Sequence, residues 1–258
     1  MSDVARLGRQ VRFTNRAFWR NPAAALFTFA FPLMFLVIVT ALLGSGRLEV
    51  APGVFIQQDR YYVAAMAAFA VISATYTNVA ISVTFIREAG ILKRVRGTPL
   101  PSWVFLAGRV IHAMGVAVLL VVITAAFGAA FYGADVPTGT RLLEYLLTIV
   151  AGAMAFSALG LGTSALVPNA EAAPAIVNAI ILPLLFLSGI FIPLEADSPR
   201  WMVVVGDVFP VKHFAEAGRA AFYGAPYAFE WSDVLVVVAW GVAGLIVAAR
   251  FFSWEPRR

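Results

Sequence analysis

Residues 87–101, REAGILKRVRGTPLP, place Arg87, Glu88, Lys93, Arg94 and Arg96 within ten residues, before Gly97, Pro99 and Pro101. Charges at this spacing suit docking, because charged contacts across an interface fix orientation and partner choice. Helical geometry over 86–96 sets Ile86, Ala89 or Gly90, and Lys93 along one side. Arg87, Ile91 and Arg94 fall along another. Gly97 and the prolines then stop the helix. A turn that only reconnects two helices needs about four residues, so the stretch reads as a rigid, charged, partly apolar knob for a soluble partner. The plainer alternative is a basic loop that only orients the chain in a membrane. A second polar group lies just upstream, SATYTNVAISVT over 73–84. On a regular helix Ser73, Thr77 and Thr84 fall near one face, and Thr75, Asn78 and Ser82 near another. They could line a polar path for a substrate, or bond neighbouring helices and their own backbone. Arg109 and His112 form a third, thinner pair. His112 either titrates near neutral pH or is simply packed.

Other chemistry is missing. No Gly-x4-Gly-Lys-Ser/Thr phosphate loop occurs, and no Gly-x-Ser-x-Gly or His-Glu-x-x-His. The chain has no cysteine and only two histidines, which argues against disulfides, thiol chemistry and the usual metal sites. No carboxylate lies in the middle of an apolar run, where ion-coupled transporters ordinarily need one. The chain therefore reads as a non-enzyme without a cofactor of its own, and any uphill work must be powered from elsewhere.

The elements that must carry these residues are set by hydropathy. The chain is 61% hydrophobic and 13% charged, against about 25% charged in soluble domains. Stretches free of charge run over 21–46, 61–86, 110–134, 145–170, 172–194 and 234–249. A bilayer core needs about 20 apolar residues as helix. The expected fold is one all-α integral membrane domain over 1–258. It has spans at 22–43, 61–86, 103–132, 143–167, 171–192 and 231–252. Pro32 should kink the first, Tyr61 and Tyr62 should anchor the second at the interface, and Glu171 should suit the start of the fifth. Ala153/Ser157 and Gly160/Ser164 are small-residue pairs that allow close helix approach. Residues 3–20 form an amphipathic helix, Val4, Leu7, Val11 and Phe18 opposite Arg6, Arg9, Arg12, Arg16 and Arg20, with Phe13 a misfit; it should lie in the interface. Residues 193–230 read as two short external helices that dip back into the membrane. No cleavable signal peptide is evident.

Cation counts orient the spans. The side with both termini and residues 87–109 holds thirteen Lys and Arg, the other six. Cytoplasmic loops are enriched in Lys and Arg, so both termini and 87–101 are expected in the cytoplasm. The pI near 9.9 then reflects anionic headgroups rather than nucleic acid.

In REAGILKRVRGTPLP, the positions Arg87, Glu88, Gly90, Arg94, Thr98, Pro99 and Leu100 resemble the cytoplasmic coupling segment of ABC type-2 transporter permeases. FAFPLMFLVIV in the first span, LSGIFIPLE, and FPVKHFAEAGRAAFYG are similar to the same family, so the resemblance covers nearly the whole chain. Within the family the chain looks most like small drug-resistance and nodulation-type export permeases. The resemblance implies a permease in the plasma (cytoplasmic) membrane. It would dimerise with a second copy or a sibling permease, sit on a separate ATPase subunit that holds the ATP and Mg, and export a drug, lipid or lipid-linked glycan. Coupling would fall to Arg87, Glu88, Gly90, Lys93, Arg94, Arg96, Thr98 and Pro99. A seam between spans one, two and five would have Ser73, Thr77, Asn78 and Asn178 as its polar residues. The competing readings are a secondary transporter or channel, which lacks mid-span acids, and a membrane-embedded lipid-modifying enzyme, for which Arg109 and His112 alone are thin.

Overall fold

The computed structural model describes residues 2–43, 46–51, 54–193, 198–224 and 227–255. Residues 194–197 and 225–226 of the expected external segment, and Arg257 and Arg258 of the cation count, lie outside these. The order is α1 (Asp3–Trp19), α2 (Pro22–Leu43), a hairpin of β1 (Arg47–Ala51) and β2 (Val54–Gln57), α3 (Gln58–Ile72), a π-helical turn (Ser73–Thr77) and α4 (Asn78–Glu88). Then come α5 (Ile91–Arg96), α6 (Ser102–Tyr132), α7 (Thr140–Leu166), α8 (Ala173–Phe186), α9 (Arg200–Val208), α10 (Pro210–Tyr223) and α11 (Trp231–Phe251). The antiparallel hairpin falls where the sequence suggests only a short loop.

Among the described residues five helical stretches are long and apolar enough to cross a membrane: Pro22–Leu42, Gln58–Glu88, Trp103–Tyr132, Thr140–Leu166 and Trp231–Phe251. The expected span over 171–192 is instead a 14-residue helix, α8, followed by turns. At about 1.5 Å per residue, α8 covers roughly 21 Å, short of the ~30 Å core. The turns after it are anchored by protein: Tyr61 Oη donates to the Gly189 carbonyl at 2.6 Å, and Arg219 to the same oxygen at 3.3 Å. Irregular backbone at membrane depth survives under such satisfaction.

The stretch from α3 through α4 is the centre of the molecule. Every residue from Tyr61 to Ile72 is buried. Tyr61 and Tyr62 are therefore inside rather than at a lipid interface; Tyr62 Oη donates to the Phe191 carbonyl. An alanine-rich surface lets α2, α6, α7 and α10 approach this helix closely. By contrast α2 and α11 leave most of their apolar surface uncovered, as lipid-facing helices do.

Small residues set the closest helix contacts. A Cβ on Gly160 would stand 2.7 Å from the Tyr76 carbonyl oxygen, and one on Gly244 2.7 Å from the Leu159 nitrogen. The α7–α11 seam thus depends on glycines of α11, which the pairs expected within the fourth span do not include. At the far end α10 is almost wholly interior, with Phe214 and Phe222 buried beside Phe156 and Tyr145. Its neighbour α9 keeps Trp201, Val204 and Val208 exposed.

Candidate functional site: a basic knob, its anchor and a polar pocket

The knob is α5. Its carrier, α4, ends at Glu88, and after Ala89 the chain turns at Gly90 with φ +70°. That left-handed conformation costs a residue with a side chain about 1–2 kcal/mol. The six residues of α5 follow, with Leu92 fully buried as a plug. Lys93, Arg94, Arg96, Thr98 and Pro99 are exposed. Thr98 Oγ1 donates to the Val95 carbonyl at 2.7 Å and closes the helix. These residues form one outward-facing basic surface.

Arg87 and Glu88 do something else. Arg87 is 1% exposed. Its guanidinium donates to the Ser164 carbonyl at 2.7 Å and the Val167 carbonyl at 2.6 Å, at the C-terminal end of α7. Those carbonyls have no partner within their own helix and carry the negative end of its dipole, so a buried cation there is well matched. Glu88 accepts the Ala170 N–H. Asn169 accepts the Ala172 N–H at 2.8 Å, so the turn into α8 is capped by Asn169 and Glu88, while Glu171 is exposed. The side chain of Arg87 is thus turned inward, and it and Glu88 fasten the knob to the α7–α8 turn. The spacing of charges gives no hint of this.

The π turn arranges the polar residues of the second group. On a regular helix Asn78 points about 140° away from Ser73; bonding from i to i+5 widens the turn and cuts this to about 50°. Ser73, Thr77 and Asn78 consequently line one cavity of about 440 Å³, opposite Phe27, Thr28 and Phe31 of α2. These three are the half-buried residues of the buried stretch 71–80. The others separate: Thr75 and Thr84 hydroxyls donate to the carbonyls of Val71 and Ala80. Ser82 accepts from Arg109 at 3.3 Å. Asn178 is exposed on α8 and does not line this cavity. His112 packs its ring edge-on to Phe18 of α1 at 5.3 Å.

The helix α1 lies across α6, with Gln10 so close to Gly108 that a Cβ there would meet Gln10 Cγ at 2.5 Å. Leu7, Gln10, Val11, Thr14 and Phe18 are its covered side, while Val4 and Phe13 are exposed. Arg6, Arg9, Arg12 and Arg16 share a basic hollow with Leu100, so α1 and the knob occupy the same end of the molecule. The opposite end holds the hairpin, α9 and α10. There burial works against a charged His213, yet hydrogen bonds to Asp233 and to the Asp207 carbonyl outweigh it and raise its pKa above the ordinary value.

Residues 9–223 match the family described as ABC-2 type transporter. Over 183 residues the chain is 26% identical to a Bacillus subtilis (strain 168) protein named as a transport permease, YvfS, covering 70% of this chain and 72% of that one. Over 142 residues it is 27% identical to an Escherichia coli (strain K12) protein named as a multidrug ABC transporter permease, YbhR, covering 55% of this chain and 38% of that one.

Proposed function

The chain belongs to the ABC-2 type transporter family, and we propose that it is the permease subunit of an exporter driven by a separate ATPase. It is a multi-pass membrane protein with the helices of a transporter subunit. The observation that carries the finer reading is the exposed basic surface of α5, joined to α4 and held through buried Arg87 to the end of α7 and through exposed Glu88 to the turn into α8. A knob fastened at three points can receive a push and pass it to two membrane helices at once. The chain carries no phosphate loop, so ATP and Mg belong to the partner.

In this reading both termini and residues 87–101 face the cytoplasm, by the excess of cations at that end. The chain makes six passages of the plasma membrane, the fifth being α8 with the anchored turns after it. The basic α1 lies in the cytoplasmic interface among anionic headgroups. Two permease copies, or this chain and a sibling, put the cavity of Ser73, Thr77 and Asn78, with Asn178 of α8, along a shared seam. A cavity with aromatic walls and four polar side chains, Thr28, Ser73, Thr77 and Asn78, suits an amphiphilic substrate, a drug, a lipid or a lipid-linked glycan, moved outward.

The test is reconstitution in lipid vesicles with the cognate ATPase. Hydrolysis and movement of an amphiphilic substrate are measured together. The triple variant Lys93→Gln/Arg94→Gln/Arg96→Gln should fold normally, yet lose permease-dependent stimulation of hydrolysis. Unchanged stimulation would remove α5 from the docking surface.

A further inference from the structure

At the end of the molecule opposite the knob, three side chains from two elements converge. His213 and Glu216 stand one turn apart on α10, and Asp233 lies in the first turn of α11. One ligand atom from each lies within 4.8 Å of the other two. We propose that His213, Glu216 and Asp233 bind a divalent transition-metal ion of the zinc class, and that the ion clamps α10 to α11.

The histidine is set up for it. Its Nε2 lies 2.8 Å from the Asp207 backbone carbonyl, and its Nδ1 2.7 Å from Asp233 Oδ1. A carbonyl oxygen only accepts, so Nε2 keeps a proton and donates it. In the neutral ring the lone pair is then on Nδ1, aimed at the carboxylates. Metal-ligating histidines ordinarily have this arrangement: the second ring N–H goes to a backbone carbonyl, which fixes tautomer and orientation. The carbonyl comes from α9, a third element, so the ring is aimed from outside the ligand set.

The acids fit as well. Glu216 accepts no hydrogen bond among the described residues; its nearest cation is Lys212 Nζ at 3.8 Å, and that ammonium is already paired with Asp207. A half-covered carboxylate with so little to satisfy it is free to turn toward an ion. Around a tetrahedral ion with bonds of about 2.0–2.2 Å, ligand atoms stand roughly 3.4 Å apart. With all three ligand atoms already within 4.8 Å of one another and His213 Nδ1 2.7 Å from Asp233 Oδ1, binding calls for a slight opening of that contact and a small inward movement of Glu216. One imidazole and two carboxylates suit zinc and its first-row neighbours, with a fourth position left for water. The charged groups facing the site are Asp207 from α9, Lys212 and Arg219 from α10, and the two ligand acids. Three carboxylates against two cations leave a surround that attracts a divalent ion. The ion would reinforce an existing junction, since Trp240 of α11 already donates to the Val208 carbonyl at 2.9 Å and stacks on Phe209.

The experiment uses the full chain with an affinity tag free of histidine, purified in detergent and stripped with a chelator. Zinc is titrated at mildly alkaline pH against a chromogenic zinc indicator, and the loaded protein is studied by X-ray absorption at the zinc edge. The proposal expects one zinc per chain, with one imidazole and the remaining ligands oxygen. His213→Ala and Asp233→Asn should each weaken binding at least tenfold, and zinc should raise the melting temperature of the wild type only. His112→Ala, at the other histidine, should bind as the wild type does. The idea is overturned if monodisperse wild-type protein takes up no zinc at micromolar free metal. It is equally overturned if His213→Ala binds zinc as tightly, or if the ligand set lacks nitrogen. The first of these arms needs no variant, so a misfolded mutant cannot mask the answer.

Discussion

Replacing Arg87 by Met keeps an unbranched apolar stem but removes the guanidinium, with its charge and donors. The guanidinium makes two short hydrogen bonds, at 2.7 and 2.6 Å, to carbonyls at the end of α7. Hydrogen bonds to charged groups contribute about 1.5–3 kcal/mol each, so the gross loss is roughly 3–6 kcal/mol. Against this, methionine no longer requires a charge to be stripped of water, a saving of a few kcal/mol. Two carbonyls are left short of a donor, but Leu166 and Pro168 beside them are exposed, so water can reach part of that turn. The expected net destabilisation is about 2–4 kcal/mol, concentrated at the α4–α7 junction. Arg87→Lys should fall between, since one ammonium cannot span both oxygens as a fork does. Equilibrium unfolding in mixed micelles measures the total. Hydrogen exchange locates it: amides over 164–172 should lose protection first, while those of α10 stay protected. If Arg87→Met unfolds within about 0.5 kcal/mol of wild type, the range of neutral surface changes, Arg87 is no anchor and its place in the transmission path fails with it.

Three further outcomes are expected. A single cysteine at Gly97 should resist membrane-impermeant reagents in intact cells while one at Ser198 labels; the reverse pattern would invert the topology, and the absence of native cysteine makes the assay clean. Gly244→Leu forces side-chain atoms into the backbone of Leu159, 2.7 Å from the position of its Cβ, and should cost at least the ~1–3 kcal/mol of overpacking; Gly115→Ala, with open space at its Cβ, should melt as wild type does. Asn78→Leu and the pair Ser73→Ala/Thr77→Val should lower substrate movement in reconstituted vesicles without lowering basal ATP hydrolysis, and normal transport by all of them would take the cavity out of the substrate path.

Much of the fold was legible because it follows from solvent. Long charge-free runs bounded by cations place the membrane helices, and five of the six expected spans match helical stretches of the structure within a few residues. The fifth was not legible. Residues 171–192 are as apolar as the other runs, and hydropathy alone gives no sign that the helix stops after Phe186. What stops it is tertiary: the Gly189 carbonyl exchanges a helical partner for Tyr61 and Arg219, residues 128 and 30 positions away. The same contacts draw Tyr61 inside, where its type and place in the sequence suggested a lipid anchor. In each case a long-range hydrogen bond outweighed a local preference.

The site was legible in its residue types and hidden in its geometry, for two separate reasons. Regular helical spacing separates Asn78 from Ser73 and Thr77, and only an added residue in the turn can bring them together. No residue type marks a π turn, but its consequence does: five consecutive residues, SATYT, whose hydroxyls cannot all face one neighbour. Arg87 and Glu88 raise the opposite difficulty. They belong by composition to one charged cluster with Lys93, Arg94 and Arg96, yet Gly90 divides the cluster. Residues before it stay in register with α4, whose buried side meets α7; residues after it start a new helix with its own outward side. A charge belongs to the partner or to the fold according to which side of that glycine it occupies. This makes Gly90→Ala a sharper probe than any charge change in the knob. With open space at its Cβ, the substitution meets no clash and acts only through the strained φ, about 1–2 kcal/mol. That should loosen the setting of α5 relative to α4 while leaving Arg87 on its carbonyls. Hydrolysis should then continue with reduced transport, at unchanged protection over 164–172. If protection there falls along with transport, knob and anchor form a single unit, and the division at Gly90 is wrong.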